Sequence, residues 1–469
     1  MPYRRPPAAP RLGVICADGV TVLDEDGRRF PLAATPAGYR VYGSWERIGQ
    51  LWGEGIGEAL CWQHQPLRWR PQRSDAPWNA PGVVNIIRVI GWPEDDLEAL
   101  DALDRWRAWL LSEGAVPAAS LGSTSFSLLR ARLRRPLHIA AGWERCGPPF
   151  DYVLGGRQEL VAQYGTYAPA AHYDLPAAYA YTLAHLRYGG HWVEVGPHYP
   201  LAGFAARGGL GFIRARVRVP SDLPLGPLPR RPRRRPRRWS VLWSVPDRYP
   251  VGKVIQGVWT WEELEAAADA GCKIKRLQTW LHVSPTDWPL PFMPWWEAVE
   301  RGRELPGYAG RLAKATGNAL WGQFCVARGA ARTAEYWDPR PACPHRYRRP
   351  APLRGQPPWY APDLAETITG QVRAALYRAM MLTGPGDLLC AHTDGFWSTA
   401  FATLPGTWRF KAEVERLDVL GPQILRYWER GSEAPVYTVA GAPPTLAPRI
   451  FESAWRSLQE RGVLNDAAP

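Results

Sequence analysis

Residues 389–399 read Leu-Cys-Ala-His-Thr-Asp-Gly-Phe-Trp-Ser-Thr, two short apolar runs that meet at a turn carrying one carboxylate, Asp394. They follow a helical pattern at 363–381 and the break Gly384-Pro385-Gly386, so the stretch predicts two short strands joined by a tight turn. A carboxylate there is held rigidly toward solvent, a position suited to a divalent metal. One carboxylate is too few, because Mg²⁺ is held by one or two carboxylates with substrate phosphates and water. The natural partner is Asp174, which ends the strand-like His172-Tyr173-Asp174 before an Ala-rich helical stretch. Either aspartate alone reads as an ordinary turn residue.

Between them, residues 311–324 have helical periodicity with Arg311, Lys314 and Asn318 three and four apart on one face. That face can present two cations and an amide to a triphosphate, or can be a solvated basic surface. Taken in order, the turn at Asp174, the Lys314-x-x-x-Asn318-x-x-Trp321-Gly322 helix and the Thr393-Asp394 hairpin resemble motifs A, B and C of the family B DNA polymerases. The likeness is to the phage and plasmid branch, which includes protein-primed enzymes. It continues in Leu154-Gly155-Gly156-Arg157, in residues 257–274 and in Gly406-Thr407-Trp408 with the segment to Tyr427.

The resemblance implies an α+β protein: an RNase-H-like, exonuclease-derived and inactive domain at 1–150, palm and fingers with two insertions at 151–430, and a small thumb-like region at 431–469. It implies template-directed DNA synthesis from dNTPs on a DNA primer-template, with a terminal protein as a further possible primer. Asp174 and Asp394 would hold Mg²⁺, and Lys314, Arg311 and Arg303 would neutralise the triphosphate. Asn318 and Gly322 would form the floor under the nascent base pair, and Tyr179 would lie under the sugar and exclude a 2′-hydroxyl. Gly155, Gly156, Arg426 and Tyr427 would contact DNA. Ala177, Ala178 and Ala180 depart from the family pattern in packing and not in charge. His392 departs in charge, standing beside Thr393 where the family has an Asp. An imidazole with an ordinary pKa near 6.5 would become cationic in mild acid and oppose metal binding, and its nitrogen would favour Mn²⁺ over Mg²⁺.

At 469 residues the chain is long enough for two or more domains. A net charge of +13 points to a polyanionic partner. Much of it is arginine, including the proline-stiffened tract Arg230, Arg231, Arg233, Arg234, Arg235, Arg237 and Arg238, which is expected to be extended along a DNA path or to be a solvated linker. No apolar run is long enough to span a bilayer and no secretory signal opens the sequence, so a soluble, cytoplasmic protein without a membrane partner is expected, in a bacterial host if a phage or mobile element encodes it. The seven cysteines lack paired metal-ligand spacing, and Cys343-Pro344-His345 is short of two zinc ligands.

In the first 150 residues, 12–16, 21–23 and 83–90 read as strands and 97–111 as a helix. An active exonuclease needs several carboxylates converging on two metals. Asp24-Glu25-Asp26 sits beside a glycine as turn chemistry, and Asp95-Asp96 sits at a helix start. Residues 336–360 would be the second insertion. Residues 447–464, with Phe451, Trp455 and Leu458 on one face, would be a final helix.

Overall fold

The computed structural model describes residues 11–19, 21–31, 35–36, 39–43, 67–69, 84–88, 93–118, 120–133, 154–201, 209–230, 248–284, 290–325, 336–337, 361–439 and 447–464. The chain divides into two compact units, Met1–Leu137 with Phe292–Tyr360, and His138–Pro291 with Ala361–Pro469. Residues 292–360, which fall within the 151–430 that the resemblance assigns to palm and fingers with two insertions, are thus grouped with the N-terminal residues.

The first unit opens on strands β1 (Leu12–Ile15), β2 (Thr21–Asp24), β3 (Arg29–Pro31), β4 (Arg40–Gly43), β5 (Leu67–Trp69) and β6 (Val84–Arg88). β1 is apolar and buried throughout because it has a strand on either side, β2 antiparallel and β4 parallel. Helix α1 (Asp96–Ser112) starts where Asp95 accepts from the Leu97 and Glu98 amides, and α2 (Leu121–Arg132) starts at a Ser120 cap.

The second unit begins with β7 (Arg157–Leu160), β8 (Gly165–Tyr167), β9 (Ala170–Asp174), α3 (Ala178–Ala184), β10 (His191–Val195), β11 (Leu210–Arg218), β12 (Val254–Thr260), α4 (Trp261–Asp269) and β13 (Lys273–Val283). The chain then returns to the first unit with α5 (Met293–Arg303), α6 (Gly307–Cys325) and β14 (Tyr336–Trp337). There α6 packs on α1, α2 and α5 through small residues: a Cβ on Gly317 would lie 2.6 Å from Val299. Buried indoles are satisfied across these helices, Trp106 donating to Thr316 Oγ1 at 3.2 Å and Trp109 to the Ala298 carbonyl at 3.1 Å. The seven-stranded sheet of this unit runs β14-β5-β6-β4-β1-β2-β3.

The rest of the second unit is α7 (Pro362–Thr383), β15 (Leu388–Thr393), β16 (Gly395–Ser398), β17 (Arg409–Gly421), β18 (Ile424–Glu429), β19 (Val436–Val439) and α8 (Ala447–Glu460). Its larger sheet runs β19-β18-β17-β9-β16-β15-β7, with β8 beside β17, and its smaller one β10-β13-β11-β12. Helix α7 is buried on nearly every side, and Tyr173 and Phe396 of the larger sheet share a core with its Leu376, Tyr377 and Met380. Helix α8 covers the far end of that sheet with the expected Phe451 and Trp455. No helix among the described residues is long and apolar enough to cross a membrane.

Candidate active site

The hairpin expected at Asp394 forms, and its turn is tighter than a two-residue loop of ordinary geometry. His392 on β15 pairs with Gly395 on β16, and the Asp394 amide donates to the His392 carbonyl at 2.6 Å, closing a three-residue turn around Thr393. Thr393 has φ 51°, a left-handed conformation that a β-branched residue rarely adopts. Such strain is on the order of 1–3 kcal/mol and persists only where the surroundings over-determine it. One restraint is the Thr393 hydroxyl itself, which donates to Asp394 Oδ1 at 2.7 Å and aims the carboxylate.

Asp174 is the last residue of β9, paired with Gly395 on one side and with Arg409 of β17 on the other. The Leu175 amide donates to the Asp394 carbonyl at 2.9 Å. Register and this bond put the two aspartates at the same edge of the larger sheet. Gly395 allows the approach, since a Cβ there would lie 2.6 Å from the Tyr173 carbonyl oxygen. Lys411 brings a cation to 3.9 Å from Asp174 Oδ2, a neighbour that sequence reasoning did not single out. Among the described residues no group of three or more His, Cys, Asp or Glu is gathered for a metal ion.

Two imidazoles lie beneath this edge. His172, two residues before Asp174 on the same strand face, stacks on Trp397 with ring centres 4.3 Å apart and lies 5.0 Å from the His392 ring. The Nε2 atoms of both are buried and have no hydrogen-bond partner. Burial pushes His392 down to about 4, aided by Lys411 and opposed by Asp174. It pushes His172 down to about 2, with His392 and Lys411 adding to the effect. The expectation that His392 turns cationic in mild acid is therefore corrected: desolvation keeps the imidazole neutral well below pH 6.5.

The glycine pair meets the same turn. A Cβ on Gly156 would fall on the Tyr179 hydroxyl and lie 2.8 Å from the Thr393 Cα and 2.9 Å from its carbonyl oxygen, whereas one on Gly155 would meet nothing within 4 Å. Gly156 and Tyr179 are thus brought to the turn that carries Asp394. The joint is anchored from α7, where Arg373 donates to the Leu154 and Gly155 carbonyls at 3.0 and 2.9 Å and Glu366 accepts the Leu154 amide at 2.8 Å. Arg373 is itself held by Glu263 and Glu366, at 2.8 and 2.6 Å, and all three side chains are buried. Glu263 also closes the capping box of α4 with Thr260. Sequence reasoning missed this network; a glutamate and an arginine seven residues apart in α7 were its only trace.

The other expected site residues are placed as follows. Arg311, Lys314 and Asn318 are all exposed on α6, in the first unit. Arg311 lies over the Tyr308 ring at 4.7 Å, and Arg303 bonds Glu300 at 2.5 Å. A Cβ on Gly322 would meet nothing within 4 Å. Arg426 is taken up inside the second unit: it donates to Asp418 and Glu452 and lies 4.9 Å and 5.1 Å from the Phe451 and Trp455 ring centres, fastening α8 to β18. Tyr427 packs on Trp397 at 5.5 Å. Arg230 is exposed, while Arg231, Arg233, Arg234 and Arg235 lie outside the described residues, as does Cys343-Pro344-His345.

The N-terminal acids have structural partners. Buried Asp24 accepts from the Asp26 and Arg28 amides and from the Tyr39 hydroxyl at 3.0, 2.9 and 2.9 Å. Glu25 pairs with Arg107, and Asp26 with Arg11 at 2.7 Å. Asp96 accepts from the Ala17 amide at 3.0 Å.

With this geometry in hand, solved structures place the fold. Phi29 DNA polymerase complexed with primer-template DNA superimposes over 94% of this chain and 94% of its own, with TM-score 0.56 and 11% sequence identity. The chain shares its fold with that enzyme. The ternary complex of Phi29 DNA polymerase with primer-template DNA and incoming nucleotide substrates gives 0.55 at 11% identity over the same 94% of each chain. An orthorhombic crystal form of the Phi29 enzyme gives 0.53 at 13% identity, over 84% of this chain and 71% of that one. No protein-family model and no curated protein sequence matches the chain. Identity this low speaks for architecture and leaves activity to the site.

Proposed function

We propose that this chain is a template-directed DNA polymerase of the phage and plasmid family B type, transferring a nucleotide from a dNTP to a primer 3′-hydroxyl or to the hydroxyl of a terminal protein. The observation that carries the reading is the placing of Asp174 and Asp394 at one sheet edge, through the Asp174–Gly395 register and the Leu175–Asp394 bond, in a fold shared with a DNA polymerase. The donor set suits Mg²⁺: two hard carboxylates, partly open to solvent, on a ligand-poor edge where phosphates and water can complete the shell. Bound there, the metal would neutralise phosphate charge and lower the pKa of the attacking hydroxyl.

The chain's own part is to hold and to exclude. Thr393 orients the Asp394 carboxylate, and Tyr179 and Gly156 shape the space next to it; phosphoryl transfer rests mostly on such positioning and on charge. In this reading 1–150 is an RNase-H-like domain, 151–430 palm and fingers, and 431–469 the thumb-like end. The order β3-β2-β1-β4, with β2 antiparallel and β4 parallel to β1, supports the first assignment. The structural engagement of Asp24, Glu25, Asp26 and Asp96 supports a domain without proofreading.

Primer extension tests it. The parent should extend a labelled primer, better with Mn²⁺ than with Mg²⁺, and Asp174→Asn and Asp394→Asn should each abolish extension. A parent that is inert with both metals and that His392→Asp does not rescue, or an Asp394→Asn variant that still extends, overturns the reading. One observation favours a second reading, a polymerase-like protein that binds primer-template without extending it: the neutral imidazole of His392 supplies no negative charge to the metal edge. Rescue of Mg²⁺-dependent extension by His392→Asp would decide for the enzyme.

A further inference from the structure

The smaller sheet of the second unit buries one face and leaves part of the other open. Along β11, Ile213, Ala215 and Val217 point into a core with Trp259, Leu264 and Ala267, and the alternate residues Arg214, Arg216 and Arg218 are exposed on the opposite face. Neighbouring β13 sets exposed Lys275 directly opposite Arg216 and exposed Lys273 directly opposite Arg218. On the other side β12 places the neutral Gln256 opposite Arg216. The acid next to this patch, Glu194, is hydrogen-bonded to Gln278 at 2.7 Å. Among the described residues none of the five cations is paired with a carboxylate.

Like charges directly opposite on adjacent strands destabilise a sheet. Two such pairs and a fifth cation therefore oppose folding, and they make a face complementary to a polyanion. The spacing is regular: alternate residues of a strand are roughly 6.6 Å apart and neighbouring strands about 4.8 Å, so the cations form two parallel rows of fixed charge. The rings that β10, β11 and β13 contribute to this face, Trp192, Phe212, Trp280 and His282, are buried at its other end. Sequence-tolerant single-strand binding rests on exposed rings that stack bases, whereas duplex backbone binding rests on cations alone.

We propose that this open face binds the sugar–phosphate backbone of duplex DNA. Arg214, Arg216 and Arg218 offer guanidinium forks to phosphate oxygens while Lys273 and Lys275 add point charge, so the surface reads no sequence. It belongs to the smaller sheet and not to the sheet that carries the two aspartates, and it operates whether or not those aspartates catalyse.

The test is binding of the full chain to a labelled blunt duplex and to a single strand of equal length, without metal or dNTP, between about 50 and 200 mM salt. Replacing Arg214, Arg216 and Arg218 together by Gln should weaken duplex binding and reduce the slope of log affinity against log salt by up to about 2.7, at about 0.9 per phosphate contact. Lys273→Gln with Lys275→Gln should reduce it by up to about 1.8, and the three Arg→Lys changes should keep the parent slope. The Gln variants should melt no lower than the parent, because repulsion is relieved. Should the triple variant unfold, the lysine pair alone decides. An unchanged slope on duplex overturns the proposal, as does a loss confined to the single strand.

Discussion

Replacing Gly156 by alanine puts the junction between the glycine pair and the Asp394 turn under direct load. The new Cβ would stand 2.8 Å from the Thr393 Cα, 0.6 Å inside the 3.4 Å at which ordinary contact begins. The Tyr179 hydroxyl can swing aside, but the Thr393 backbone has little freedom. It already sits at φ 51°, and the turn is tied to the segment after β9 by the Leu175–Asp394 bond. Overpacking of this kind costs about 1–3 kcal/mol. A displacement of several tenths of an ångström at a metal-holding carboxylate should lower primer extension by about tenfold or more, given that misplacement by 1 Å can cost about a hundredfold. Gly155→Ala is the matched control for the clash: its Cβ meets nothing within 4 Å, so stability should stay within about 0.5 kcal/mol of the parent. Urea unfolding and steady-state extension measure both. Adding Tyr179→Phe to Gly156→Ala should recover only part of the loss, since the clash with Thr393 remains. Indistinguishable behaviour of the two alanine variants would refute the reasoning.

Gly322→Ala should raise stability by up to about 1 kcal/mol, because a helical glycine with no steric need is replaced by the best helix former, yet should slow extension if Gly322 supports the base pair; unchanged extension removes it from the site. Arg373→Met should lower stability by about 3–5 kcal/mol in urea by stranding Glu263 and Glu366, and a change under about 1 kcal/mol would show that the network is not sealed from water. Burial, with help from His191, pushes His282 down to about 4. Because that is below the unfolded value near 6.5, protons favour the unfolded chain, so the His282 contribution to stability holds above pH 6.5 and is lost at about 1.4 kcal/mol per pH unit from there toward pH 4, beside like losses from His172 and His392. His282→Gln should flatten that acid slope, and an equal slope in parent and variant would assign the loss to other groups.

Much of the local structure was legible because it depends on neighbours along the chain. The hairpin at Asp394, the long helix before it, the cap at Asp95 and the apolar face of α8 follow from turn residues and periodicity, and the structure has each near its expected bounds. The pairing of Asp174 with Asp394 was legible as a pattern of residue types in order. What the sequence determined by itself, then, was the elements, the two carboxylates and the surplus of positive charge. Tertiary structure decided the rest, because burial and register are properties of segments far apart in the chain. It took the imidazole of His392 out of water and so changed its acidity, drew Arg426 into a latch between β18 and α8, and gave Arg373 the task of holding the glycine pair. It also set the arginines of β11 opposite the lysines of β13, a repulsion that a linear reading cannot see, since only strand pairing brings those charges side by side.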